Sequence, residues 1–220
     1  MSETDWVAVV PVKGAPGAKS RLEHDDRAQL AEAFALDTVA ALLAASVIID
    51  VFVVTADMDI GAHLASLGAH IVPETVPLEG SDPLNAAIAA GVDAARAARP
   101  DSNLAVFTGD LPSLTVTDIE GALSLGAAYS RSMVPDEEGT GTTSLFALAG
   151  VPFTPRFGVG SRAAHEADGH HPLDLPATSS IRRDVDTAAN LAEALHLGVG
   201  PYTSKLIAEV STPIVDAGHH

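Results

Sequence analysis

Residues 7–22 have the sequence VAVVPVKGAPGAKSRL, an apolar run followed by a glycine- and proline-rich loop. The β-branched run Val7–Val12 predicts a buried strand. Residues 25–45 then carry apolar side chains at helical spacing, with Asp26 as the expected N-cap. A strand, a loop and a helix in this order predict the start of an α/β fold, in which ligands bind beyond the carboxyl ends of the strands.

Strands and helices continue to alternate over the first 125 residues, which favours a mostly parallel sheet with helices on both faces. The second half has shorter elements, and we expect a small inserted lobe there. Thr117 and Glu120 predict a capping box at the start of one helix. Further strands are expected at 50–56, 70–74, 103–110, 130–134, 143–149 and 181–185, and helices at 58–67, 83–98, 118–127, 162–168, 187–197 and 201–209.

The composition limits the classes of protein to be considered. The chain has 220 residues, no cysteine and a formal net charge of −17. This charge argues against general binding to nucleic acids or to anionic membranes, and the absence of cysteine excludes disulfides and thiolate metal sites. No apolar run of about 18 residues is present, so we expect a cytoplasmic protein. One domain is expected over residues 1–210, with a flexible tail at 211–220.

Positive charge is concentrated in the loop after the first strand. The chain has three lysines, and two of them, Lys13 and Lys19, lie in this loop together with Arg21. The glycines of the loop allow a backbone to approach a ligand closely. These three cations therefore predict a phosphate-binding loop, although the spacing is that of neither a Walker A motif nor a dinucleotide-binding motif. A solvated loop that caps the next helix is the alternative.

Acidic residues follow two later strands. Asp110 ends the apolar run 103–110, and Asp184 and Asp186 end the expected strand 181–185. Alternate residues of a strand face the same side, so both carboxylates can point into one site and be joined by Asp110. Such an all-oxygen cluster suits Mg²⁺. The alternative is structural, with Asp186 or Thr187 capping the following helix.

Other polar clusters are expected to be solvated. His165, His170 and His171 lack the spacing of a histidine metal site, and a polar loop is the expected setting. The acidic run 136–138 is expected to form a solvated turn.

With these pieces placed, the sequence resembles the CofC/FbiD family of guanylyltransferases over nearly the whole chain, from residue 7 to about 203. The matching motifs are VPVKGAPGAKSRL (10–22), DPLNAAI (82–88), FTGDLP (107–112), GTGTTSL (139–145), RFGVGS (156–161) and RRDVDTAANL (182–191). The resemblance implies a nucleotidyltransferase fold, GT-A-like and Rossmann-like, with three layers.

The resemblance also implies an activity. Members of this family join GMP from GTP to a three-carbon phospho-acid in the biosynthesis of coenzyme F-420. We expect phosphoenolpyruvate as the acceptor, with 2-phospho-L-lactate or 3-phosphoglycerate as alternatives. The loop KSRL at 19–22 speaks against cytidylyl- and molybdopterin-type transferases, which usually carry R-[ML]-G there. A non-catalytic nucleotide-binding module is the alternative from a different class.

By the same resemblance, Thr142, Gly158 and Ser161 match acceptor-binding positions. Asn85 in DPLNAAI matches a segment that faces the nucleotide, where it is a candidate for a base or ribose contact. The sequence departs from the family at Val159–Gly160, in the loop before Ser161. Two arginines near this loop, Arg156 and Arg162, either add charge to the site or pair with surface acids.

The remaining expectations concern cofactor and partners. The resemblance implies Mg²⁺ on Asp110, Asp184 and Asp186, with Lys19, Arg21 and Asp110 as the catalytic residues and Lys13 binding GTP. The partners are GTP and the phospho-acid, without nucleic acid or membrane. Assembly into a homo-oligomer and hand-off of the product to a downstream transferase are left open.

Overall fold

A computed structural model describes residues 5–13, 27–74, 80 and 82–211. The strands of these residues are β1 (Trp6–Pro11), β2 (Ile48–Thr55), β3 (His70–Pro73), β4 (Asn103–Phe107), β5 (Arg131–Pro135), β6 (Thr142–Ala147) and β7 (His171–Pro172). The helices are α1 (Arg27–Ala44), α2 (Met58–Leu67), α3 (Pro83–Ala98), α4 (Val116–Gly126), α5 (Ser161–Ala167), α6 (Ala188–Leu197) and α7 (Pro201–Ser211), with a 3₁₀ helix at Ser180–Arg182.

The seven strands of the described chain form one sheet in the order β3-β2-β1-β4-β6-β5-β7. Strands β2 and β4 pair with β1 in parallel, whereas β6 is antiparallel to both β4 and β5. The mostly parallel α/β sheet is thereby confirmed. The strands of the second half extend this same sheet, so the region expected to hold an inserted lobe does not form a sheet of its own.

The alternation of side chains along β1 divides the core between the two faces of the sheet. Val7 and Val9 point to one face, where α3 packs through Ile88 and Val92. Trp6, Ala8 and Val10 face a larger apolar cluster built with α1, α2 and α4. All six residues of β1 are buried, as expected for a central strand covered on both faces. The layers are therefore helix, sheet and helix.

A third apolar cluster holds the chain beyond the sheet. Val185, which is 1% exposed, packs with Phe34 of α1 and Leu191 of α6. The buried carboxylate of Asp37 in α1 accepts the backbone N–H groups of Tyr202 and Thr203 at 2.9 Å each, at the start of α7. These contacts fix the C-terminal segment against α1, next to the carboxyl ends of the strands.

Two expectations about local structure are wrong. The N-cap of α4 is Thr115, whose side chain accepts the N–H of Asp118, and Glu120 instead accepts hydrogen bonds from Ser46. No strand forms at 181–185, because the carboxylate of Asp118 accepts the N–H of Ser180 at 2.8 Å and holds this segment as a 3₁₀ helix. By contrast, α2 and α3 have the expected bounds, and Pro83 occupies the first turn of α3.

Part of the expected site lies outside the described residues. This part includes Lys19 and Arg21. The expected N-cap Asp26 and positions 212–220 of the expected tail also lie outside the described residues. Within the described ranges, none of the helices combines the length and the apolar character that a membrane span requires.

Candidate active site

A cavity of about 730 Å³ opens beyond the carboxyl ends of β1 and β4. This is the edge of an α/β sheet at which ligands usually bind. The expected site residues that line the cavity are Lys13, Asp110, Thr142, Gly158, Ser161, Asp184 and Asp186. The structure therefore brings together residues that are up to 173 positions apart in the sequence, from Lys13 to Asp186.

The three aspartates form one cluster on the cavity wall. Each of Asp110, Asp184 and Asp186 offers a carboxylate oxygen, and these oxygens lie within 4.8 Å of one another. The cluster does not arise from the expected strand at 181–185. Instead, the backbone N–H of Val185 donates to the carbonyl oxygen of Asp110 at 3.0 Å, and the buried Val185 side chain anchors the segment.

The turn that carries Asp110 is fixed by close packing. A Cβ atom at Gly109 would lie 2.9 Å from the carbonyl oxygen of Pro11, a distance that real Cβ atoms do not tolerate. After the turn, the N–H of Leu111 donates to the hydroxyl of Thr38 in α1 at 3.1 Å. The position of Asp110 is therefore set by β1 and α1 together.

The residue that caps α6 is Thr187 and not Asp186. Its side chain accepts the N–H of Asn190, and Asn190 bonds back to the N–H of Thr187, which completes a capping box for α6. Asp186 is thus not required as the cap, and its carboxylate lies in the acidic cluster.

The acidic run at 136–138 forms the expected turn, with Glu137 and Glu138 exposed, and it also lines the cavity. The Asp136 carboxylate accepts the backbone N–H groups of Thr140 and Gly141 at 2.9 and 2.8 Å, which closes the loop between β5 and β6. Glu137 pairs with Arg183 at 3.1 Å. These bonds hold the turn beside the segment that carries Asp184.

The described wall of the cavity is strongly acidic. It contains six carboxylate side chains, from Asp110, Asp136, Glu137, Glu138, Asp184 and Asp186, against the single cation Lys13. Like charges this close repel one another and any anionic ligand. A cation held by the carboxylates would reduce this repulsion, and three clustered carboxylate oxygens are hard donors of the kind that a divalent metal such as Mg²⁺ prefers.

A glycine-rich loop at 157–161 forms another wall of the cavity. Gly158 and Gly160 have φ values of 127° and 72°, a left-handed backbone region in which most side chains are strained. Gly160 is the N-cap of α5, and Ser161 is its first residue, only 3% exposed. Ser161 lines the cavity.

The side chain of Asn85 binds the backbone of this loop at Phe157. Its amide oxygen accepts the N–H of Phe157 at 2.8 Å, and its amide nitrogen donates to the carbonyl of Phe157 at 3.0 Å. The same nitrogen donates to Asp82 at 3.0 Å. Leu84 rather than Asn85 lines the cavity. These bonds show that Asn85 anchors the loop, while the expected nucleotide contact stays a prediction.

The histidine cluster is the clearest difference from the sequence-based expectation. His165 and His170 are 0% and 3% exposed rather than solvated. The ring of His165 lies 3.0 Å from the hydroxyl of Thr142 through Nδ1. The signal in the sequence is the spacing from Ser161 to His165, because residues four apart share one face of a helix.

The arginines near the loop pair with acids outside the cavity. Arg156 forms an ion pair with Asp168, and Arg162 with Glu166 at 2.9 Å. Both arginines are thus paired with surface acids, which is the second of the two alternatives given for them.

Solved structures share the fold of the chain. A nucleotidyl transferase from Methanothermobacter thermautotroptrophicus matches with a TM-score of 0.55 and 18% identity, covering 88% of this chain and 97% of that one. The Rv0371C protein of Mycobacterium tuberculosis H37Rv, solved as a manganese complex, matches with a TM-score of 0.52 and 20% identity, covering 87% and 98%. At these identities the similarity shows the fold alone.

Sequence relatives are more informative. A phosphoenolpyruvate guanylyltransferase of Streptomyces coelicolor is 46% identical over 209 residues, which cover 93% of this chain and 97% of the relative. One of Thermomonospora curvata is 42% identical over 212 residues, covering 95% and 91%. The family described as guanylyl transferase CofC like matches residues 6–214. The match to this family over nearly the whole chain shows that the chain belongs to the CofC-like guanylyl transferases.

Proposed function

We propose that the protein transfers GMP from GTP to the phosphate of phosphoenolpyruvate and releases pyrophosphate, as a step in the biosynthesis of coenzyme F-420. In this reaction a phosphate oxygen of the acceptor forms a bond to the α-phosphorus of GTP, and the bond from that phosphorus to the β-phosphate oxygen breaks. The observation that carries the proposal is the single cavity that holds both the three-aspartate cluster and the 157–161 loop.

The nucleophile needs no base from the protein. The second pKa of a phosphomonoester is about 6, so the acceptor oxygen is largely ionised at neutral pH. What the protein must supply is alignment and charge stabilisation, because a dianion has to approach a polyanionic triphosphate.

The acidic cluster and the basic loop divide this task. Asp110, Asp184 and Asp186 would hold Mg²⁺, which when bound neutralises phosphate charge and acts as a Lewis acid. Lys13 reaches the same cavity. Lys19 and Arg21, which lie outside the described residues, are proposed to bind the triphosphate and to stabilise the leaving pyrophosphate. Asp110, Lys19 and Arg21 are the proposed catalytic residues.

The acceptor is proposed to lie against Thr142, Gly158 and Ser161. Thr142 and Ser161 are 7% and 3% exposed, line the cavity and each carry a hydroxyl group. Hydroxyl donors at fixed positions suit the carboxylate and phosphate oxygens of a small phospho-acid. Phosphoenolpyruvate is favoured over 2-phospho-L-lactate and 3-phosphoglycerate by the names of the relatives.

Other expectations about this protein stay predictions. They are a contact between Asn85 and the base or ribose, a cytoplasmic location, a homo-oligomeric assembly and the hand-off of the product to a downstream transferase.

The test is to offer the purified protein GTP and Mg²⁺ with each of the three phospho-acids in turn. We expect pyrophosphate release and a guanylylated product with phosphoenolpyruvate. Nucleotide binding without pyrophosphate release for any of the acids would instead identify a non-catalytic nucleotide-binding module.

A further inference from the structure

His165 is a buried histidine that the proposed reaction does not use. It lies in α5 with 0% exposure, and its ring packs edge-on against Phe157 at 5.2 Å and His170 at 5.4 Å between centroids. A buried imidazole must satisfy both ring nitrogens or lose stability. The partners of these two nitrogens determine its chemical state.

The backbone fixes the tautomer of this ring. The N–H of Arg156 donates to Nε2 of His165 at 3.0 Å, and a backbone N–H can only donate. Nε2 therefore carries the lone pair, and the proton of the neutral ring is on Nδ1. Burial, followed by the charge of His170, lowers the pKa of His165 to about 4, so the ring stays neutral at physiological pH.

The tautomer in turn orients the hydroxyl of Thr142. Nδ1 lies 3.0 Å from Oγ1 of Thr142, so Nδ1–H donates and the hydroxyl oxygen accepts. The hydroxyl hydrogen must then point elsewhere. Among the described residues, its other polar neighbour is the sulfur of Met133 at 3.9 Å, a weak acceptor. Thr142 lines the cavity, and an anionic oxygen of a ligand there would be a much stronger acceptor for the hydroxyl hydrogen than the sulfur of Met133.

We propose that His165 is a positioning residue for the acceptor, since its Nδ1–H makes the Thr142 hydroxyl a hydrogen-bond donor to an anionic oxygen of the three-carbon phospho-acid. This inference rests on the proposed function, because it takes the phospho-acid as the occupant of the cavity. Carboxylate and phosphate oxygens can only accept, so a hydroxyl whose hydrogen is directed at them is preorganised for this ligand.

A purely structural role is the competing explanation, because the bond from Arg156 to Nε2 also holds the start of the 157–161 loop. Two variants separate the roles. The amide of His165→Asn can replace Nδ1–H toward Thr142, and that of His165→Gln can replace Nε2 toward Arg156. We expect His165→Asn to keep the KM for phosphoenolpyruvate within about 3-fold and His165→Gln to raise it about 10-fold, with the KM for GTP unchanged in both. The opposite ranking would show that the loop contact is what matters.

A double-mutant cycle tests the connection to Thr142. Thr142→Val should raise the KM for phosphoenolpyruvate about as much as His165→Gln does, and the double variant should add nothing further. Independent, multiplying effects of the two substitutions would overturn the proposal. Thermal unfolding identifies variants that fail to fold, in which case Thr142→Val and the wild-type protein still supply a test.

The wild-type protein also provides a measurement that needs no activity. Nitrogen-15 NMR of the histidine rings should show His165 as the Nδ1–H tautomer at pH 7. Finding the Nε2–H tautomer would overturn the proposal whatever the enzyme does. Absence of turnover by the wild-type protein with phosphoenolpyruvate would instead contradict the proposed function, so the two failures are distinguishable.

Discussion

The backbone N–H of Val185 donates to the carbonyl oxygen of Asp110 at 3.0 Å, and this one bond joins the two parts of the acidic cluster. It places Asp184 and Asp186, one on each side of Val185, against the turn that follows β4. Because the Val185 side chain is buried at 1% exposure, the segment cannot shift without exposing apolar surface. The cluster is thus built by a core contact and a backbone bond rather than by a strand.

The first prediction concerns the metal. Asp184→Asn removes one negative charge from the cluster while keeping the shape of the side chain. We expect the Mg²⁺ concentration for half-maximal rate to rise about 10-fold or more, with the KM for phosphoenolpyruvate little changed. Removal of divalent metal by a chelator should abolish activity in the wild-type protein, and added Mg²⁺ should restore it. Full activity in the chelator would exclude a metal-dependent mechanism.

The second prediction separates the two roles of Asn85. Asn85→Ala removes both hydrogen bonds to the backbone of Phe157 and should cost about 1–3 kcal/mol of unfolding free energy. We expect the KM for phosphoenolpyruvate to rise, because the 157–161 loop loses its anchor. An increase confined to the KM for GTP would favour the base or ribose contact instead.

The third prediction concerns pH and stability. The pKa of His165 is lowered from 6.5 to about 4 by burial, and burial also lowers the pKa of His170. Between pH 6.5 and about 4, the unfolded chain binds more protons than the folded one. The free energy of unfolding is therefore highest above pH 6.5 and falls as the pH drops toward 4. For His165 the loss is at most about 3–4 kcal/mol.

Urea unfolding at a series of pH values measures this loss. His165→Asn should flatten the fall between pH 6.5 and 4, although the contribution of His170 remains. His196→Asn is the matched control, because His196 is exposed in the folded protein. Equal slopes for wild type and His165→Asn would show that His165 is not buried in the neutral form.

The fourth prediction concerns the basic loop. Lys13→Ala, Lys19→Ala and Arg21→Ala should each weaken GTP binding about 10-fold, because each removes a charged contact to the triphosphate. Lys205→Ala is the control, since Lys205 is exposed on α7 and lies 3.9 Å from Glu209. Calorimetric titration with GTP measures the difference. Equal affinities for all four variants would mean that the loop is merely solvated.

The local pattern of the sequence was sufficient to predict the sheet and most of its helices. Apolar runs and helical spacing are local properties, and α2 and α3 begin and end where the spacing indicates. The strand predicted at 181–185 was wrong because Ile181 and Val185 pack in two different non-local clusters, and Asp118 holds the start of the segment as a 3₁₀ helix. The sequence alone does not show such a long-range bond.

The site residues divide in the same way. The acidic and glycine-rich motifs could be recognised, and their described members do line one cavity. The spacing from Ser161 to His165 indicates a shared helix face but not burial, which depends on the packing of Phe157 and His170 around the ring of His165. The bonds between Asn85 and Phe157 could not be predicted from local sequence either, because the two residues are 72 positions apart.

The most direct test of the account is Asp110→Asn, compared with Asp101→Asn at the opposite, exposed end of β4. The Asp110 variant should lose pyrophosphate release from GTP and phosphoenolpyruvate by about 10²–10³-fold, while calorimetry shows GTP binding within a few-fold of wild type. Asp101→Asn should match the wild type in both measurements. Turnover by Asp110→Asn at the wild-type rate would contradict a transfer reaction centred on the three aspartates.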